Sequence, residues 1–183
     1  MTVSLILLEI LPATGPAVTG DSTVASYPGH IAIESFSWGV KSVPRKGSGT
    51  NNLAAIVKPQ TLSLKKQFDR ASTVLYTMME SDDAFKATLR FIDPSTSSKS
   101  ATGSSSQVDS VLEIALKGCH IESIGLNVDD SGKTVSASET VVLSFEESAM
   151  LSYRMYDASS RTRTKAMSAS VYAPAKDDSG GSP

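Results

Sequence analysis

Cysteine, histidine and tryptophan are scarce: the 183 residues hold one cysteine, two histidines and one tryptophan. A single thiol, Cys119, excludes an intramolecular disulfide framework and any cysteine-rich zinc site. His30 and His120 leave little material for a metal centre, so no metal and no cofactor is expected. An excess of one charge is missing too. Lys and Arg total 17 against 19 for Asp and Glu, a net charge of −2, which gives no general electrostatic grip on nucleic acid or anionic lipid. No apolar run reaches the length of a membrane-spanning helix, and no membrane insertion is expected. The apolar stretch Val3 to Leu11 contains Ser4 and Glu9 and has no basic segment before it, so it reads as a strand and not as a signal peptide. Aromatic residues make up only 6%, few for a binding module built on an exposed aromatic platform.

Serine and threonine, by contrast, form roughly a quarter of the chain, while the apolar fraction is the ordinary 40%. That balance favours β structure with polar surfaces. The length suits one domain, expected over residues 1–175, with a core that needs neither metal nor disulfide. Val3 to Leu11 gives a first strand, closed by Pro12 and the Gly15, Pro16, Gly20 punctuation. In Gly29 to Val40, Ile31 and Ile33 lie on one face and Phe36, Trp38 and Val40 on the other. The apolar face therefore switches between Glu34 and Ser35, as in a long strand that bends, bulges or crosses from one sheet to another. Residues 41–52 are basic and aperiodic and are expected to project as a loop.

Thr61 to Phe68 alternates as a half-buried strand, with Lys66 as the exception on its apolar face. Asp69 then caps the one convincing helix, which ends near Ser81 and sets Ala71, Val74, Leu75, Met78 and Met79 on a core-facing stripe. Phe85 to Ile92 reads as a strand. Residues 94–107 form a low-complexity polar insert, expected to be flexible. Val108 to Val128, with Gly118 as a kink or bulge, turns through residues 129–133 into Thr140 to Met155, and Arg161 to Pro174 makes a last strand. Residues 176–183 are expected to be a disordered tail. Seven or eight strands and one helix without βαβ alternation imply an antiparallel β-barrel, or two packed sheets, with one α-helix against it.

The motifs of chemistry fail one by one. Gly132-Lys133-Thr134 resembles the end of a phosphate loop, but the required earlier glycine is Asn127. The 129–132 turn lacks the spaced oxygen ligands of a calcium loop. Cys119 and His120 are adjacent, so in a strand they point to opposite faces and cannot act as nucleophile and base. No serine-nucleophile elbow occurs. No catalytic residue is assigned, and the chain is expected not to be an enzyme.

The order of segments carries a resemblance. Gly20-Asp21-Ser22 followed by Ser35-Phe36-Ser37-Trp38-Gly39-Val40 resembles the Hcp family, the tube protein of bacterial type VI secretion systems. In that family a GES-type turn precedes a strand ending in a WSWG-like motif. The likeness continues through Leu62-Ser63-Leu64-Lys65-Lys66-Gln67-Phe68-Asp69-Arg70-Ala71-Ser72, the family's strand-to-helix stretch. Ala87 to Arg90, Leu112 to Lys117 and Glu139 to Phe145 match later strands, so the likeness covers most of residues 3–157. The 94–107 insert is longer than the family's usual turn.

The resemblance implies an Hcp-like fold and homohexameric rings that stack into a tube. Sheath, spike and effector proteins are the implied partners. The protein would reside in the cytoplasm before firing and be exported without a signal peptide. It also implies a contact role for the loop after the signature strand, with Lys41, Val43, Arg45, Lys46, Asn51 and Asn52 as candidates. A conduit needs a polar, weakly adhesive lumen, and the expected outward serines Ser35, Ser37, Ser136 and Ser138 are candidates for it. Trp38 has two readings, core anchor or exposed interface aromatic, of which core anchor is expected. Alternatives are a tail-tube protein of a phage or extracellular contractile device, and a monomeric β-sandwich binding module.

Overall fold

The computed structural model describes residues 5–44, 55–93, 110–130, 132, 135–157 and 162–172. The insert 94–107, loop residues 45–52 and the tail 176–183 lie outside the described residues. In chain order the elements are β1 (Leu5–Pro12), β2 (Ile31–Ile33), β3 (Ser35–Ser37), β4 (Val40–Pro44), β5 (Ala55–Pro59), β6 (Leu62–Gln67), α1 (Arg70–Ser81), β7 (Phe85–Ile92), β8 (Ser110–Asp130), β9 (Val135–Asp157) and β10 (Thr162–Tyr172).

All described strand pairs are antiparallel. Eight strands join in the order β2-β1-β7-β8-β9-β6-β3, with β10 on the outer side of β9, while β4 and β5 form a separate two-stranded ribbon. The ladder is not a closed ring of pairings. Its two ends, β2 and β3, are successive pieces of one segment separated by Glu34 alone. Ile31 and Ile33 pair with β1 and are buried. At Glu34 the backbone N–H donates to the Lys65 carbonyl at 2.8 Å, and from Ser35 onward the segment pairs with β6. The switch of apolar face read in the sequence is this transfer, by which one bent segment brings the two ends of the sheet together.

The long β8–β9 hairpin spans both halves. Its base lies between β7 and β10, and the far half of β9 lies against β6. A shift of register at Gly118 lets it bend. There φ is +64°, and a Cβ would stand 2.8 Å from Glu147 Cγ and 3.1 Å from its backbone nitrogen, so only glycine fits without displacing the neighbouring strand. The core between the two halves contains Leu8, Ile10, Ile31, Leu62, Leu64, Leu75, Leu89, Leu116, Leu143 and Phe145.

Two expectations change. The stripe of α1 is narrower than its periodicity: Ala71 and Leu75 are buried and Met78 packs on the core, but Val74 and Met79 are exposed. The sheet offers the helix one contact line, and residues at its margins stay in solvent. The stretch expected to be an aperiodic loop from residue 41 begins as strand β4, which pairs with β5 from Val40↔Pro59 to Pro44↔Ala55. Its partner lies beyond the basic segment, where local alternation carries no signal.

Trp38 packs against the core, its ring 6.1 Å from that of Phe145 at 58°, while Phe36 meets Phe91 edge-on at 5.0 Å. The bent segment is thus anchored by an aromatic on each side of Ser37. Truncating Trp38 to alanine is expected to cost about 3–5 kcal/mol of stability by chemical denaturation; near-native unfolding would mean that the ring serves an interface instead.

Candidate functional site

The stretch from Leu62 to Ser72 builds a polar centre inside the fold. Leu62 and Leu64 point into the core, and the same alternation sends Lys66 inward, where its side chain is 1% exposed. Glu139, its direct partner across the β6–β9 ladder, is also fully buried. The Lys66 ammonium donates to Glu139 Oε2 at 2.9 Å, Ser72 Oγ at 2.9 Å and the Gln67 carbonyl at 2.8 Å. It lies 2.8 Å from Asp69 Oδ1. Ser72 in turn donates its hydroxyl proton to Glu139 Oε2 at 2.7 Å.

Asp69 and Ser72 also start the helix. The Asp69 carboxylate accepts the Ala71 N–H at 3.0 Å, and Ser72 Oγ accepts the Asp69 N–H at 3.0 Å, a reciprocal capping box. One cluster therefore ties β6, β9 and the first turn of α1 together. A buried charge is tolerated only when paired and hydrogen-bonded, which is why a lysine can occupy a core position here. Glu139 Oε1 has no hydrogen-bond partner among the described residues.

A second contact set orients the entry to the bent segment. Gly20 donates its N–H to the Gly29 carbonyl at 2.7 Å and Ser22 to that of His30 at 3.0 Å. At Gly20 a Cβ would lie 2.6 Å from the His30 carbonyl oxygen, so the close approach requires glycine. Asp21 pairs with Arg70 at the start of α1. Arg90 lies 2.8 Å from Glu9, 3.8 Å from Glu113 and 3.0 Å from His30 Nε2, under the Tyr27 ring.

The structure does not assemble the catalytic pairs considered from sequence. His30 is engaged with Arg90, and His120 Nδ1 faces Asp82 at 3.0 Å. Cys119 is fully buried, and burial pushes its thiol up from 9.0 to about 12 despite a backbone hydrogen bond at Ala87 that lowers it. A neutral buried thiol is not a nucleophile. No group of metal-ligating side chains occurs among the described residues, and no helix among them is long and apolar enough to cross a membrane.

Of the residues expected at contact surfaces, Lys41 is exposed on β4, and Val43 stands one position from its end. Arg45, Lys46, Asn51 and Asn52 lie outside the described residues. Ser35, Ser37 and Ser136 are exposed. Ser138 is not: it is 5% exposed, and its hydroxyl has no partner among the described residues. Alternation predicts an outward serine there, but β9 runs between β6 and β8 at this point, and both sides are covered. The Lys66–Glu139 centre was marked in the sequence only by a lysine on the apolar face of its strand, and its acidic partner lies 73 residues away.

A family model described as "Type VI secretion system effector, Hcp" matches residues 10–153. No curated protein matches. Among solved structures, a doubly substituted Hcp1 from E. coli EAEC 042 is similar with a TM-score of 0.64 at 14% identity, over 92% of this chain and 100% of that one. The secreted protein Hcp3 from Pseudomonas aeruginosa gives 0.57 at 15%, over 91% and 97%. A chain of the anti-feeding prophage baseplate gives 0.52 at 13%, over 82% and 94%. At such identities these likenesses establish the fold.

Replacing Lys66 with methionine leaves Glu139 buried without its counter-charge and is expected to cost about 3–5 kcal/mol, read as a lower urea midpoint with unchanged slope. Truncating Glu139 in the Lys66→Met background should then cost much less than in the native protein; additive losses would deny the coupling. The raised thiol pKa of Cys119 gives a second test. Its contribution to stability is fully present below pH 9 and is lost as pH rises through about 12. At pH 8 a thiol reagent should label Cys119 only after denaturation, and rapid labelling of the folded chain would contradict its burial.

Proposed function

The chain belongs to the Hcp family of type VI secretion proteins, and from that premise we propose that it is a structural tube component whose copies close into hexameric rings and stack into a conduit for effectors. The observation that carries this reading is the family match over residues 10–153. The residues expected from the likeness, Lys66, Asp69, Ser72 and Glu139, moreover meet in one buried cluster that holds the fold together.

A ring of identical subunits needs two different surfaces on each copy, one meeting the other on the next copy. The β4–β5 ribbon suits such a contact. It pairs with no other strand, and a two-stranded ribbon alone is marginal in water, so a neighbouring copy would stabilise it. The basic residues that follow it, Arg45 and Lys46, with Lys41, Val43, Asn51 and Asn52, belong to this contact. Exposed Ser35, Ser37 and Ser136 suit a polar lumen wall. The tube itself performs no chemistry in this reading. It assembles in the cytoplasm, and a contracting sheath drives it out of the cell behind a spike, with effectors carried inside. The baseplate likeness reflects a fold shared with other contractile devices, and the family model favours secretion.

Light scattering after size exclusion is expected to give a mass of about 115 kDa, six copies of 19.2 kDa, with ring-shaped particles in negative stain. Arg45→Glu combined with Lys46→Glu should shift the protein toward monomer while leaving its melting temperature unchanged. A native protein that stays monomeric would overturn the ring, and intact rings in the double variant would overturn the role of the loop.

A further inference from the structure

The tip of the β8–β9 hairpin is patterned for burial, yet its own chain does not bury it. Across the ladder Ile124 pairs with Val141, Leu126 with Glu139, Val128 with Ala137 and Asp130 with Val135. Directly paired residues share a face. Ile124, Leu126, Val128, Val135 and Ala137 therefore line one side of the ribbon, and Gly125, Asn127, Asp129 and Ser136 the other. Apolar and polar faces of this kind mark a ribbon with one covered side. Along the first half of β9 the apolar face continues into the core at Val141 and Leu143. At the tip it emerges, leaving Leu126 52%, Val128 60% and Val135 70% exposed. Three large aliphatic side chains side by side in water form a surface patch of the sort that takes a partner.

A second feature has the complementary shape. Between α1 and the segment that follows β1 lies an open cavity of about 610 Å³. Pro12, Pro16, Ala17, Val18, Val74 and Met78 supply its apolar walls, and Val74 is the helix residue that periodicity assigned to the core but that stands exposed. No residue of the hairpin tip lines this cavity, so the chain does not fill it with its own ridge.

We propose that the ridge of Leu126, Val128 and Val135 seats in the α1 groove of a second copy of this chain. The inference rests on the ring reading and names the surfaces that close it. Symmetry selects the occupant. A ridge packed on a second ridge is the same patch meeting itself, which closes a two-fold dimer and stops; a ridge in a groove is head to tail and propagates around a ring. Charge sets the direction of entry. The tip carries the exposed Asp129 and Asp130, and one end of the groove is bordered by Arg70, whose side chain is 64% exposed. The opposite end, at Asp83, would repel them, so the tip points toward the start of the helix.

A disulfide trap tests this directly. In full-length protein, Val128→Cys and Val74→Cys are combined, with Cys119 left in place because it is buried. Native mass is recorded, the sample is mildly oxidised, and a non-reducing denaturing gel is run. The expected result is a covalent ladder up to six copies from the double variant and monomer from each single variant. Ring mass without a ladder overturns the docking while the ring reading stands; monomer mass without a ladder overturns both. A dimer band from Val128→Cys alone shows ridge meeting ridge and also overturns it.

A second pair of variants guards against a misplaced crosslink. Leu126→Asp with Val128→Asp removes the ridge, and Val74→Asp spoils the groove, all at exposed positions. Each variant alone is expected to be monomeric. Mixed, they retain one intact contact and should form a species of about 38 kDa, two copies of 19.2 kDa. Rings persisting in either variant overturn the proposal.

Discussion

The ammonium of Lys66 against the carboxylate of Glu139 is the contact on which the arrangement of the molecule turns. Both groups are dry, and removing them from water is costly enough that the pair adds little stability over well-packed apolar residues. What it does impose is position. Lys66 and Glu139 face each other in only one register of β6 on β9, and a slip of two residues would leave two opposite charges buried and apart. Asp69 and Ser72 extend the constraint to α1, since the side chains that cap the helix also surround the lysine. The helix therefore cannot rotate or slide on the sheet without breaking its own cap. The groove along its outer side inherits that rigidity.

Closure of the sheet follows a similar economy. One segment, Ile31 to Ser37, serves as both edges of the main ladder by leaving β1 at Glu34 and joining β6 at Ser35. Phe36 and Trp38 hold the bend from inside. The body is then completed by short strands, and the longer ones extend past it. The β4–β5 ribbon, the tip of the β8–β9 hairpin and the outer edge of β10 are all elements whose pairing or apolar face ends without a partner in the same chain. A tube subunit is suited by such a division: a body whose register is fixed by buried charge, and arms completed by the next copy.

Much of this was legible in the chain because it rests on local period. The helix after Asp69, the strand from Leu62, the bulge at Gly118 and the change of face at Glu34 all follow from alternation, a capping residue or a glycine. The bound of β9 was less legible. It begins at Val135, five residues before Thr140, because the serines and alanines of its first turn onto β8 carry no strong alternation, and pairing with residues 126–130 supplies the order instead. The β4–β5 pairing was hidden for a similar reason. Its two strands flank a polar segment, and nothing local links one to the other.

Sequence alone determined the mainly β architecture with its single helix, the likeness to the Hcp family, and the absence of a disulfide or cysteine-rich metal framework. These depend on composition and on the spacing of neighbouring residues. Tertiary structure decided what the polar and marginal residues do. It buried Ser138 where alternation predicted exposure, left Val74 at the edge of a groove where periodicity predicted core, and gave Lys66 a partner 73 residues away. Each of these depends on which distant strand lies alongside, and the energy of a charge or a methyl group is set by that neighbour and not by the residues beside it in the chain.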